Sequence, residues 1–201
     1  MSEFERTVSE AVYPGGSLSI GEDFDGILDA ARSGEPWAFE RLYRDLAPAV
    51  AGYLRLQGAA EPEDLNSDVF LGVFAGLSSF SGTEQQFRSW VFTIAHRRLV
   101  DERRRRTRKP STPTGEPEVL DRPAGDAEQD AMAALGQRRV AELCAELSAD
   151  QREVLLLRIV ADLTVEQVAE VLGRSKGAVK ALQRRGLTAL RKKLSGEGVT
   201  L

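Results

Sequence analysis

The chain has 201 residues, 42% of them apolar, a single cysteine, a single histidine and a net charge of −4. That length suits one large or two small domains, the lone Cys144 excludes an intramolecular disulfide or a cysteine-based zinc site, and the acidic total argues against a uniformly basic nucleic-acid binder. No apolar run approaches the ~20 residues that cross a bilayer, and the N-terminus lacks the basic flank and apolar run of a secretory signal, so a cytoplasmic protein without membrane insertion is expected.

Residues 1–23 carry Pro14, Gly15, Gly16 and several serines with little periodicity, and read as a mobile tail. From Phe24 the pattern turns helical. Phe24, Ile27, Leu28 and Ala31 form one stripe, which Gly34 and Pro36 end. Trp37, Phe39, Leu42, Tyr43 and Leu46 mark a second helix opened by Pro36. Val50, Tyr53 and Leu54 extend it past Pro48, where a kink or restart is expected, and Gly58 closes it. In the next helix, Leu65, Val69, Phe70, Val73, Phe74 and Leu77 are the inward side. Its start is acidic, with Glu61, Glu63, Asp64 and Asp68. Carboxylates there are favoured by the helix dipole alone; an acidic and apolar docking surface is the functional alternative.

Ser78 to Gln86 is polar, holds Gly82 and reads as a loop. Phe87 to Arg106 then repeats Trp90, Val91, Ile94, Ala95 and Leu99 at helical spacing. From Arg97 to Lys109 there are eight basic residues against Asp101 and Glu102. Aromatic residues just ahead of an arginine cluster suit melted or single-stranded nucleic acid, whose bases stack and whose phosphates pair with cations. His96 alone reads as a polar-contact residue. Residues 108–131 contain Pro110, Pro113, Pro117 and Pro123 without apolar periodicity. They read as a flexible, largely acidic linker.

A second helical domain spans 132–195, followed by a short tail at 196–201. Leu135, Val140, Leu143 and Leu147 make its first helix, and Cys144 within that pattern reads as a buried structural thiol. Ser148 with Gln151, and Thr164 with Gln167, are capping boxes that satisfy free backbone N–H groups at helix starts. Ala169, Gly173 and Val179 then supply the small residue, the turn glycine and the branched residue of a helix-turn-helix. From Arg174 to Lys193 there are eight basic residues and no acidic one, a face that repels itself unless phosphates neutralise it. The second helix of such a pair enters a DNA major groove by its N-terminal half.

Three motifs in this order and spacing, Asp64-Leu65-Asn66-Ser67-Asp68-Val69-Phe70, then Phe87-Arg88-Ser89-Trp90 with Ile94-Ala95 and Asp101, then Ser175-Lys176-Gly177-Ala178-Val179-Lys180, resemble the bacterial RNA polymerase sigma factors of the extracytoplasmic-function (ECF) group. The resemblance implies an all-α protein of two small domains, region 2 over 24–107 and region 4 over 132–195. It needs no cofactor, metal or catalytic residue. It implies that Asp64, Leu65, Asn66, Ser67, Asp68, Phe70 and Leu71 bind the clamp helices of the polymerase's largest subunit, and that the chain also contacts the polymerase's flap region. Ser79, Phe80, Ser81, Phe87, Trp90, Arg97, Arg98, Arg103 and Arg104 would recognise and open the minus-ten promoter element. Arg174, Ser175, Lys176, Lys180, Gln183 and Arg184 would read the minus-thirty-five element. Promoter DNA, core polymerase and an anti-sigma protein are the partners implied. The chain departs from the family pattern at Ser67, where Gln is common, and at His96-Arg97, where Arg-Asn is common. A conventional helix-turn-helix regulator with an N-terminal effector or dimerisation domain is the alternative; it explains Thr164 to Leu194 but not the Trp90 to Arg106 cluster. An enzyme is a more distant reading, since the chain shows no phosphate loop and no nucleophile set around His96.

Overall fold

The computed structural model of the protein describes residues 20–21, 23–108 and 140–196. Most of the expected tail, the linker beyond residue 108, the opening of the second domain at Met132 and Leu135, and the chain past residue 196 lie outside the described residues. Among the described residues every regular element is a helix. None is long and apolar enough to cross a membrane.

The N-terminal unit contains α1 (Phe24–Arg32), α2 (Pro36–Leu56), α3 (Pro62–Gly76), a 3-10 turn (Leu77–Ser79) and α4 (Glu84–Arg108). Pro36 opens α2 at the position where a missing N–H is harmless. Pro48 does not divide that helix: α2 continues through it. Pro48 itself is exposed, while Leu46, Ala47, Ala49 and Val50 around it are buried. Packing on the inner side holds the helix together where the proline removes one bond on the outer side. The core is filled by Leu42, Leu46, Tyr53, Leu54, Phe87, Phe92 and Leu99, all fully buried. Tyr53 meets Phe92 edge-on at 5.6 Å, and burial, with Glu153 nearby, pushes its phenol above the ordinary range.

The expected loop over 78–86 is shorter than its polarity implies, because α4 starts at Glu84 rather than Phe87. Thr83 N donates to Gln86 Oε1 at 2.9 Å and Gln86 N donates to Thr83 Oγ1 at 3.4 Å. This reciprocal cap converts three polar residues into a first helical turn.

The C-terminal unit holds α5 (helical over 140–145), α6 (Ala149–Ile159), α7 (Val165–Leu172) and α8 (Lys176–Gly196). Both expected capping boxes form, at Ser148 with Gln151 and at Thr164 with Gln167. Gly173 takes a left-handed conformation, φ +61°, as the turn requires. Ser175 Oγ then accepts from Ala178 N at 3.2 Å and starts α8. Cys144 is buried, and burial raises its thiol to about 11, so it stays protonated near neutrality.

α8 crosses α6 at Gly186, where a Cβ would stand 2.8 Å from Leu155 Cδ1. Leu155 is itself 2% exposed and cannot yield. Gly186→Val should therefore lower the C-terminal unit's stability by about 1–3 kcal/mol through overpacking. At Gly177 a Cβ would meet only Ser175 Oγ, at 3.9 Å; Gly177→Ala should be neutral or stabilising by up to ~1 kcal/mol. Urea midpoints of the two variants would check the contrast, and equal midpoints would contradict the close crossing.

Candidate nucleic-acid interface

Three surfaces carry the residues singled out from the sequence. The first is α3. Helical geometry splits its motif between two sides. Asp64, Ser67, Asp68 and Leu71 are exposed, whereas Leu65, Asn66 and Phe70 are buried at 5%, 3% and 2%. The inner three therefore set the position of the outer four. Leu71 is 67% exposed, a large apolar side chain open to solvent beside two carboxylates. Tyr43 of α2 extends this surface, 41% exposed with its ring edge-on to Phe70 at 4.8 Å. Sequence reasoning assigned Tyr43 to the core stripe, and only the α2–α3 packing turns it outward.

The second surface runs along α4. Phe80 and Trp90 stack at 5.1 Å with 25° between the rings. Phe87 is fully buried beneath them, 5.2 Å from Phe80 and 5.7 Å from Trp90. Phe87 is thus the support of the aromatic pair rather than its outer face. Trp90, Arg97 and Arg104 recur every seventh residue, which places them on one stripe of the helix. Arg97, Arg98 and Arg104 are exposed. Arg103 points elsewhere, its guanidinium donating to the backbone oxygen and side chain of Gln57. Ser79 and Ser81, at the head of the stripe, are exposed. Ser79 Oγ donates to Gly76 O at 2.8 Å.

Gly76 is what lets the aromatic pair sit where it does. A Cβ at that position would come within 2.9 Å of Trp90 Cζ2. Its role is invisible in the sequence, because it depends on α3 ending against a residue fourteen positions later.

The third surface is the exposed flank of α8. Arg174, Ser175, Lys176, Lys180 and Arg184 are exposed, and Gln183 is half-buried. Two cations are held by the neighbouring helices: Arg174 pairs with Asp150 at 2.8 Å and Lys176 with Glu166 at 3.2 Å. Glu166 lies at the start of α7, and a backbone N–H together with Lys176 hold its carboxyl below the usual carboxylate range. These pairs orient the entry of α8 against the rest of the helix-turn-helix. Lys180, Arg184, Arg185, Arg191 and Lys192 stay solvent-facing, as a phosphate-binding face requires, while Lys193 pairs with Glu146 at 3.1 Å.

The two units also touch each other. Arg88 Nη1 of α4 donates to Asp162 Oδ2 at 2.9 Å, and His96 Nδ1 lies 3.1 Å from Glu153 Oε1. Gln167 Nε2 donates to Gln85 O at 3.1 Å.

Comparison with known proteins matches this arrangement in both halves. Residues 41–109 match the family model described as Sigma-70 region 2, and residues 144–192 match that described as Sigma-70, region 4. The chain is 32% identical over 175 residues to the ECF RNA polymerase sigma factor ShbA of Streptomyces griseus, covering 82% of this chain and 92% of that protein. It is 29% identical over 166 residues to the ECF RNA polymerase sigma factor BldN of Streptomyces coelicolor, covering 82% of this chain but spanning only 63% of that relative's length. Its fold is similar to that of CnrH, solved in complex with the cytosolic domain of CnrY, with a TM-score of 0.60 at 24% identity over 85% of this chain and 96% of that one.

The seat of Trp90 can be checked directly. In a Trp37→Phe background Trp90 is the sole tryptophan. Gly76→Val should then displace its ring toward water and shift the fluorescence emission to the red. An unshifted spectrum would mean that Gly76 does not hold the ring.

Proposed function

The chain belongs to the ECF RNA polymerase sigma factors of the sigma-70 family, and from that premise we propose how its surfaces divide the work of promoter-directed transcription initiation. The protein binds core polymerase and directs it to promoters; its action is binding and strand opening rather than chemical turnover. It would act in the cytoplasm, where polymerase and promoter DNA meet.

The exposed side of α3 docks on the clamp helices of the polymerase's largest subunit. Asp64 and Asp68 supply charge complementarity, Ser67 a hydroxyl between them, and Leu71 with Tyr43 supplies apolar area; Leu65, Asn66 and Phe70 shape that helix. Charge steers the encounter, while the buried apolar contacts slow dissociation. The α4 stripe takes the minus-ten element. Trp90 and Phe80 offer a stacking platform for an unpaired base, Phe87 stiffens it, and Arg97, Arg98 and Arg104 follow the phosphates. Ser79 and Ser81 offer hydroxyls beside that platform, and Arg103 braces the helix against Gln57. The α8 flank enters the major groove of the minus-thirty-five element, with Lys180, Gln183 and Arg184 reaching base edges or phosphates and Arg174, Ser175 and Lys176 at the helix start. The polymerase flap region is the further contact of the C-terminal domain, and an anti-sigma protein completes the set of partners.

The observation that carries this reading is the pairing, within one chain, of an aromatic and arginine stripe on one helical unit with a solvent-facing cationic recognition helix on another. In vitro transcription with core polymerase, followed by start-site mapping, tests it; no initiation at any promoter would refute it.

Two variants separate the surfaces. Lys180→Ala with Arg184→Ala should cut minus-thirty-five-dependent initiation by about tenfold to a hundredfold, at ~1–3 kcal/mol for lost contacts, while polymerase affinity stays near wild type. Asp64→Lys with Asp68→Lys should weaken polymerase binding by about tenfold or more through like-charge repulsion at the docking face. Polymerase affinity measured by fluorescence anisotropy checks both. Equal loss of affinity in the two variants would contradict the division of labour.

A further inference from the structure

The last turns of α4 carry more charge than a helix end needs. Arg103, Arg104, Arg105, Arg106 and Arg108 follow one another with only Thr107 between them and no acid. The gain that a cation draws from the helix dipole is confined to the last turn. Two of the five arginines are engaged: Arg103 donates to Gln57, and Arg106 donates to Glu102 at 3.4 Å. Arg104 and Arg108 are exposed and have no ion-pair partner among the described residues.

Thr107 stands between those two. Val100, Arg103, Arg104, Thr107 and Arg108 line one depression of about 320 Å³, because residues three, four, seven and eight apart share a helix face. That is about ten times the ~30 Å³ share of one water molecule, which is room for a phosphoryl group. Thr107 is exposed, and its Oγ1 donates to Arg103 O at 2.9 Å. A hydroxyl that donates still has its lone pairs.

We propose that Thr107 is a phosphorylation site, and that its phosphoryl group is captured by Arg104 and Arg108 and closes the arginine stripe of α4 to a DNA strand. The switch rests on the assignment of that stripe to the minus-ten element. Arg104 and Arg105, three and two residues ahead of the acceptor, suit a serine/threonine kinase whose substrate groove is lined by carboxylates, since guanidinium forks match carboxylates. Thr107 lies in the final turn of α4, which ends at Arg108. A terminal turn opens at little cost, so the kinase can draw the acceptor out without unfolding the core. ATP is the donor: the Thr107 Oγ1–phosphorus bond forms as the bond from the γ-phosphorus to the ADP oxygen breaks, and the hydroxyl proton leaves to water. The product carries close to two negative charges at neutral pH. The helix dipole opposes an anion at this end; charge-assisted bonds from Arg104 and Arg108 oppose the dipole and hold the phosphate against the helix. Two cations are then lost to nucleic acid.

The test uses the full chain. Mass spectrometry of the chain recovered from the cells that encode it should find the phosphoryl group on Thr107; its absence through growth and starvation overturns the proposal. In chain synthesised with phosphothreonine built in at position 107, phosphorus NMR should show the second ionisation below its ordinary value of about 6. Arg104→Ala with Arg108→Ala should restore that value, and an ordinary value in the unsubstituted chain overturns the capture. Affinity for a fluorescein-labelled single-stranded minus-ten oligonucleotide should fall about twentyfold at 0.1 M salt, and the log–log salt slope should shrink by ~1.4, at ~0.7 for each of two lost phosphate contacts. Thr107→Ala should bind the oligonucleotide as the unmodified chain does. An equal loss in Thr107→Ala would make the hydroxyl itself a DNA contact and overturn the switch. A captured phosphate that leaves oligonucleotide affinity unchanged keeps the site and refutes the minus-ten assignment instead.

Discussion

One helix has to satisfy three neighbours at once, and the rest of the molecule is arranged around that demand. Helix α4 buries Phe87, Val91, Phe92, Ala95 and Leu99 in the N-terminal core. It also carries the aromatic and arginine stripe, and it meets the C-terminal unit through Arg88 and His96. A helix with work on every side cannot show a clean division into apolar and polar faces. Its position is set by large side chains packed from several directions, so Trp90 and the arginines project from a rigid support. A recognition surface gains from such rigidity because less freedom is lost on binding.

The helix-turn-helix solves a simpler problem. Two capping boxes and a left-handed glycine set the ends of its first helices. Gly186 then allows α8 to lie close on α6. Ion pairs at Arg174 and Lys176 tie the head of α8 to its own domain, while the middle of the helix presents cations outward. Exposed pairs of this kind contribute little stability; their effect is orientation. The C-terminal unit also presents carboxylates toward α4, so the domain is basic on one side and acidic on another. Net charge alone, at −4, conceals both.

Local chemistry made much of this legible. Thr164, Gln167, Gly173 and Ser175 announce a helix, a turn and a second helix, because caps and left-handed glycines act within a few residues. The arginine cluster after Trp90 and the acid-rich start of α3 were equally plain. Pro48 and the start of α4 are less legible. A proline's effect depends on what packs beside it, and Thr83 with Gln86 hides a cap inside a polar run. Within the site, the buried positions of Asn66 and Phe87 and the diversion of Arg103 to Gln57 could not be read from residue type.

The amino-acid order by itself determined that this protein is two helical units, where most helices begin and end, and where positive charge collects. These depend on hydrogen bonds and periodicity over three to seven residues. Tertiary structure alone decided which side of each helix faces a neighbour. It set the close approaches at Gly76 and Gly186, and it brought Asp162 to Arg88 and Glu153 to His96. Those pairs are 74 and 57 residues apart in the chain. No periodic pattern reaches that far, because a helical repeat records which side is apolar but carries no information about the surface that will cover it.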